Sequence, residues 1–262
     1  MKKGKKEMIG LEDVTEFLEV IFNSGNIRNE KPLSTYIIAP VSNGKTTSTK
    51  QFYGNSQVKV ITDATAYGIL KKYENDLREK KIRHFVIPDL LNCLARRKTS
   101  VDTFILFVNS SSEDGLSESS TYAYELKSPI DAFGWVMCVT EEAYKKKKNQ
   151  LDSIGQSSRF FMVHYKYSLE TISKIIDKIV RDEKFAVPHK TLKKKQRTIK
   201  GNIEIFEKAK TYARLLCNTE AEAIRVQRNL QTFLKSCAFI RNSDKVQEED
   251  LKKLERLIYL IK

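Results

Sequence analysis

Two periodicities alternate along this chain. Leu11, Val14, Phe17, Leu18, Ile21 and Phe22 recur at three- and four-residue spacing, which predicts an amphipathic helix. After the loop NSGNIRNEKPL, the run STYIIAPV is short and almost wholly apolar, the pattern of a strand covered on both faces of a parallel sheet. KTTSTKQFYG predicts a helix closed at Gly54, QVKVITD a second strand, and ATAYGILKKYENDLREKK a further helix. IRHFVIPDLL predicts a third strand ending at Pro88 and Asp89, and VDTFILFVNSSSEDG a helix stopped by a serine-rich turn at Gly115. STYAYELKSP alternates like an exposed strand or hairpin arm. AFGWVMCVT and RFFMVHYKYS predict a fourth and a fifth buried strand.

From Leu169 the period is helical throughout. LETISKIIDKIVRDEKF, NIEIFEKAKTYARLLC, EAEAIRVQRNLQTFLKSCAFIRN and VQEEDLKKLERLIYLI carry no strand signal among them, and a basic stretch containing Pro188 interrupts them. Strands alternating with helices, then helices alone, predict an α/β fold: a three-layer αβα core with a mainly parallel sheet, followed by an all-helical domain. We set the core at 1–175 and the helical domain with its basic linker at 176–262, the boundary falling between Ser168 and Gly201.

Composition and charge add to this picture. Hydrophobic residues make up 40% of the 262, enough for a packed core rather than a disordered chain. Lys and Arg number 47 against 33 Asp and Glu, a formal net charge of +14, which favours nucleic acid or another polyanion as a partner. The excess gathers at 2–6, 145–148 and 190–200, where solvated lysine-rich loops explain it equally well. Cys93, Cys138, Cys217 and Cys237 lie far apart with no C-x-x-C spacing, and they read as thiols in a reducing cytosol rather than zinc ligands or disulfides. No apolar run approaches the roughly 20 residues of a membrane span. The start, MKKGKKEMIG, lacks the apolar segment of a signal peptide and reads as a short basic arm on a cytoplasmic protein.

The stretch that carries chemistry is APVSNGKTT. A G-K-[ST] tripeptide alone arises by chance in about one chain in ten of this length. Here a buried strand precedes it, PVSNG makes a turn, and a helix follows, the geometry in which successive amides converge on phosphate. In such a loop Ser42, Asn43, Gly44 and Thr47 cradle the phosphates of ATP, Lys45 reaches the β- and γ-phosphates, and Thr46 ligates Mg²⁺. Ala39 stands where G-x-x-x-x-G-K-[ST] has its first glycine, and alanine fits there unless φ must be positive. HFVIPD supplies Asp89 at the end of a neighbouring strand, either as a second Mg²⁺ ligand or as a cap of the next helix.

The order of these elements resembles the AAA+ branch of P-loop ATPases over nearly the whole chain. MIGLEDV is similar to the segment that packs against the adenine there, which points to Ile9 and Gly10. APVSNGKTT is similar to the Walker A loop and HFVIPD to Walker B. WVMCVTEEAY resembles the sensor-1 strand, with Thr140 in the polar position. LDSIGQSSRFF resembles the segment ending in the arginine finger, which would make Arg159 the residue offered to a neighbouring subunit. The last helices look like the AAA+ lid, with Arg225 as the sensor-2 arginine and Arg228 the second candidate. More narrowly, PLSTYIIAPVSNGKTTSTKQF, VITDATAYGIL and HFVIPDLLNCLAR resemble small prokaryotic and mobile-element AAA+ proteins of undefined role.

The resemblance implies a P-loop NTPase core and a helical lid that bind ATP and Mg²⁺ and hydrolyse ATP. It also implies a homo-oligomer, a ring or another head-to-tail assembly, since a finger cannot serve its own site. Its partner would be DNA or a remodelled protein, with no membrane involved. Two departures matter. Leu90 follows Asp89 where the family has a water-polarising glutamate, leaving Asp63, Glu113 and Glu118 as stand-ins, and Thr140 replaces the usual asparagine. A nucleotide-binding scaffold with little hydrolysis is therefore a further reading. Arg159 and Arg225 also read as ordinary surface charges, and Tyr122 and Tyr124 either grip a substrate or pack locally.

Overall fold

The structure, a computed structural model, describes residues 8–261 apart from 118, 122, 123, 127, 184, 185 and 218. The basic arm at 2–6, Glu118 and Tyr122 therefore lie outside the described residues, as does the side chain of Tyr124. Helix α1 (Glu12–Ser24) leads into β1 (Ser34–Ala39), α2 (Lys45–Lys50), β2 (Val58–Val60), α3 (Ala66–Arg78) and β3 (His84–Ile87). Then come α4 (Leu91–Leu94), α5 (Lys98–Glu113), the hairpin β4 (Ser119–Thr121) and β5 (Tyr124–Leu126), and β6 (Gly134–Thr140). The chain continues through α6 (Glu141–Ser153), α7 (Gln156–Arg159), β7 (Phe160–His164) and α8 (Leu169–Val180). It closes with α9 (Ile203–Leu216), α10 (Glu220–Ile240) and α11 (Glu248–Leu257).

Five strands form one parallel sheet in the order β2–β3–β6–β1–β7. Successive strand residues point to opposite faces. Ile37, Val86, Val136, Cys138, Phe161 and Val163 join α1 and α9–α11 in one core. Tyr36, Ile38, Phe85, Ile87, Trp135, Met137 and Met162 join α3, α5 and α6 in the other. Covered on both faces, these strands have no polar side to display, which is why their sequences read as continuous apolar runs. Trp135 anchors the second core: its ring stacks on Phe85 at 5.2 Å and its indole N–H donates to Ser111 Oγ at 3.0 Å. The architecture is an α/β P-loop-type fold, a parallel sheet flanked by helices with a helical C-terminal region.

Some elements are shorter than their sequence pattern. Helix α2 stops at Lys50, and the chain turns to Gly54, whose φ is +85°. Strand β2 keeps only three residues. The C-terminal helices share the core of α1: the Phe17 ring packs on Phe161 and Phe233, and Ser236 Oγ donates to the Val20 carbonyl at 2.6 Å.

The basic run 190–200 is a strap between the sheet layer and these helices. Leu192 and Ile199 are buried along it. Lys190 pairs with Glu19 at 2.5 Å and Arg197 pairs with Asp244. Lys193 Nζ donates to the carbonyls of Phe239 and Ile240, both at 2.8 Å, at the end of α10, where the Phe239 carbonyl also accepts the Asn242 amide at 3.1 Å. In the other run, Lys145 pairs with Glu141 and Lys148 with Asp152. Much of the clustered charge is thus engaged within the fold. No described helix is long and apolar enough to cross a membrane.

Candidate functional site

The loop between β1 and α2 has the shape its sequence predicts. Gly44 takes φ +71°, which costs an L-residue strain, and Ser42 also lies at positive φ. The backbone amides of residues 42–47 have no acceptor among the described residues. They form an open row of donors at the carboxyl end of β1. Ala39 is the last residue of β1, so the missing glycine falls in regular strand and places no demand for positive φ. Lys45 turns back on this loop, its Nζ donating to the carbonyls of Ala39 at 2.9 Å and Pro40 at 2.7 Å. Burial lowers the pKa of Lys45, against the opposing pull of Cys138 and the Asp89 carboxylate.

Asp89 follows β3, and β6 lies between it and β1. The next amide, that of Leu90, donates to the Cys138 carbonyl at 2.9 Å, tying this turn to β6. Asp89 is exposed, and one carboxylate oxygen accepts the Leu91 amide at 3.0 Å. The capping role and a free second oxygen therefore coexist. Leu90 turns the other way, 2% exposed in the core beneath the sheet. Thr140 ends β6 in register with Ala39, and its Oγ1 caps α6 by accepting the Ala143 amide at 3.4 Å. Asp63, at the same end of the sheet, is paired with Arg96 at 2.6 Å.

A pocket of about 470 Å³ opens beside the loop. Ser42, Asn43, Gly44, Lys45, Thr46 and Thr47 form its polar side; Met8, Ile9, Leu11, Tyr167, Ile175 and Val187 form its apolar side. Gly10 sits at φ +72° between two of these wall residues, packed under Thr171. Tyr167, Ile175 and Val187 escape a reading of sequence. Tyr167 stands three residues past the end of β7 in a run that itself looks aromatic, and Ile175 and Val187 belong to a helix and a basic linker whose patterns carry no sign of a ligand. Asn43 joins the two sides, its side-chain carbonyl accepting the Tyr167 amide at 2.7 Å.

Arg159 and Arg225 are not part of this constellation. Arg159 precedes β7 and Lys45 follows β1, so the length of the sheet, about 17 Å for strands of this size, separates them. Arg159 is bound to the Glu113 carboxylate and donates to the carbonyls of Ile154 and Gly155. Arg225 Nε reaches the other oxygen of Glu113 at 2.9 Å. The lid arginine predicted to meet nucleotide in its own chain thus sits at the amino edge, held there by α5. Glu113, a predicted stand-in for the missing glutamate, is at that same far edge and occupied by two guanidinium groups. Arg228 lines a groove between α9 and α10.

No protein-family model matches the chain, and no curated protein matches it. Among solved structures, the fold matches a crystal structure described as a "putative ATPase" from Cytophaga hutchinsonii, at a TM-score of 0.50 and 14% sequence identity. The match covers 98% of this chain and 82% of that one. At that identity the likeness is one of fold.

Proposed function

We propose that this chain is an ATPase of the AAA+ type, binding ATP with Mg²⁺ in the pocket beside residues 42–47. One observation carries the reading: an open row of loop amides and Lys45 at the carboxyl end of β1, continuous with an apolar pocket. Anionic phosphates suit the amides, and an apolar slot suits a base. The fold likeness to a structure described as an ATPase supports the same class.

The donor set fits a magnesium nucleotide. Among the described residues no three His, Cys, Asp or Glu side chains form a metal cluster, so an ion here would share its ligands with phosphate. Thr46 and Asp89 are the protein oxygens that would hold it; Mg²⁺ would supply charge neutralisation at the transferring phosphate. Lys45 would leave the carbonyls of Ala39 and Pro40 for the phosphates, and Thr140 retains a hydroxyl proton with which to orient water. The core and lid at 1–175 and 176–262, and a cytoplasmic setting, belong to this reading. So does Arg159 acting on the site of a neighbouring copy.

Leu90 favours a second reading, a nucleotide-binding scaffold with little hydrolysis, because the position beside Asp89 is apolar and faces the core. Calorimetric titration with ATP, with and without Mg²⁺, tests binding, and Lys45→Ala is expected to lose at least tenfold in affinity. Turnover of the wild type no higher than that of Lys45→Ala would leave only the scaffold. For the macromolecular partner, the net charge of +14 supports DNA ahead of a remodelled protein. ATP turnover raised by duplex DNA, with binding that falls steeply as salt rises, is the expected outcome; turnover indifferent to DNA favours the protein.

A further inference from the structure

The central strands of the sheet begin around a recess of their own. The chain entering β1, the turn before β3 and the turn before β6 wall it, and Gln196 of the basic strap closes one side. It encloses about 590 Å³ at the amino edge, so the length of the sheet separates it from the loop 42–47.

Among the described residues, four cations and four carboxylates line this recess. All four carboxylates are already matched. Asp114 pairs with Lys31 at 3.5 Å and Asp131 with Lys80. Glu30 is taken by Lys235 and Thr232, and Glu113 by Arg159 and Arg225. The partners of Glu30 and Glu113 come from outside the lining. That leaves Arg28 and Arg83, neither of which makes an ion pair with a described residue.

Arg83 is half-buried, and burial lowers its pKa against the pull of Asp131, a carboxylate already paired with Lys80. Its stem lies on Gly25, where an added methyl would come within 2.8 Å of its Cβ. Its backbone is pinned on both sides: the amide donates to the Gln57 carbonyl at 2.9 Å, and the carbonyl accepts the Gly134 amide at 2.8 Å. With its amide oxygen turned toward Arg83, Gln196 accepts from both terminal nitrogens, at 2.9 and 3.2 Å. The Nε is buried without a partner among the described residues. A neutral amide alone compensates a partly desolvated cation poorly. Arg28 is held on the same recess by the strap, its amide donating to the Arg197 carbonyl at 2.9 Å, and its side chain is exposed.

We propose that this recess binds a phosphate dianion, free or as the monoester of a small molecule. Two guanidinium forks without carboxylates suit one tetrahedral oxyanion of charge about −2, and arginine is the side chain fitted to such bidentate contact. Glu30, Asp114 and Asp131 around them repel a continuous polyanion, so a small ligand fits better than a nucleic-acid backbone. The volume leaves room for an ester group beyond the phosphate. A bound phosphate would tie the chain entering β1, the turn before β3 and the strap together. The site stands on these residues and does not depend on what the pocket beside residues 42–47 binds.

Calorimetric titration of Lys45→Ala with inorganic phosphate and with glycerol phosphate tests it, because that variant weakens any phosphate contact at the loop. Phosphate binding should survive in Lys45→Ala. On that background Arg28→Gln and Arg83→Gln should each weaken it by about tenfold or more. Circular dichroism checks that each variant is folded, and the exposed Arg28 keeps the test open if Arg83→Gln unfolds. With Lys45 intact, Arg28→Gln should leave ATP affinity unchanged, so loss of the phosphate site and loss of the ATP site are told apart. Glycerol phosphate bound as tightly as phosphate assigns a monoester, and its exclusion assigns free phosphate. Lys45→Ala that binds neither overturns the proposal, and so does an added Arg28→Gln that changes nothing. Duplex DNA that displaces the phosphate would make the recess part of a nucleic-acid surface and overturn the assignment to a small ligand.

Discussion

Tyr167 closes directly over Gly44. A methyl group added at Gly44 would come within 2.1 Å of the tyrosine hydroxyl, and Leu11 Cδ1 would lie 2.9 Å away. The backbone of Tyr167 is fixed by the Asn43 side chain, whose own amide donates to the Val41 carbonyl at 3.0 Å. The chain that enters α8 is thereby docked on the loop that carries Lys45.

Gly44→Ala is accordingly expected to fail twice. The φ of +71° costs an alanine about 1 kcal/mol or more, and the clash pushes Tyr167 off the loop. Thermal unfolding should show a lower Tm, and calorimetry should show lost ATP binding. Adding Tyr167→Ala removes the clash but not the backbone strain, so the double variant should recover only part of the Tm.

Glu113 links two arginines that the sequence assigns to different jobs. Its burial raises the carboxyl pKa, but the charges of Arg159 and Arg225 outweigh this and hold it below the usual value. A carboxylate with a lowered folded pKa contributes stability above the unfolded pKa and loses it as pH falls through the folded one. Glu113→Gln should therefore destabilise by about 1–3 kcal/mol at pH 7. Denaturant unfolding should find that difference shrinking as pH falls below about 4.5. A difference that persists unchanged at pH 3 would mean the carboxylate charge is not what holds Arg159.

The strands were legible because burial on both faces leaves an apolar run that little else produces. The loop was legible because its chemistry is local: Gly44, Lys45 and Thr46 are consecutive, and the strand before them announces itself. What escaped was long-range. Nothing near Arg225 signals that Glu113, more than a hundred positions earlier, will hold it at the far edge of the sheet. Nothing in HYKYS distinguishes Tyr167, which walls the pocket, from Tyr165 beside it. The basic run 190–200 was opaque for the same reason. Local composition reports charge, but the partners of Lys190, Lys193 and Arg197 lie in α1 and around the end of α10.

Lys193 therefore separates structural from recognition charge. Its ammonium satisfies the Phe239 and Ile240 carbonyls and Asn242 Oδ1, the last at 2.6 Å. Lys193→Met keeps most of the stem but leaves the Ile240 carbonyl and Asn242 Oδ1 to water, and should lower stability by about 1–2 kcal/mol. Lys194→Met, on a lysine with no ion pair among the described residues, should change it by less than about 0.5 kcal/mol. If the strap also meets DNA, salt-dependent binding should weaken in Lys194→Met, with Tm unchanged.

His84 makes acid the sharpest probe of the core. It is fully buried against Phe22, with Nε2 bonded to the Leu33 carbonyl at 3.1 Å. Burial first, and then the neighbouring Arg83 charge, push its pKa down to about 3, against the opposing pull of the Leu33 bond. The unfolded chain binds a proton at this site near pH 6.5, and the folded chain refuses it until about 3. Stability from the neutral imidazole is therefore complete above about pH 6.5 and declines below it, by about 1.4 kcal/mol per pH unit once the unfolded histidine is charged. Between pH 6.5 and about 5 the carboxylates remain ionised, so His84 dominates that window over Glu16 and Glu113. His84→Gln can keep a donor to Leu33 and does not titrate. Urea unfolding of both proteins at pH 7, 6 and 5 should show the wild type losing stability faster than the variant, by close to one proton. Parallel curves would mean that His84 charges inside the fold, and that the space around Gly134 and Phe22 is more open than the structure has it.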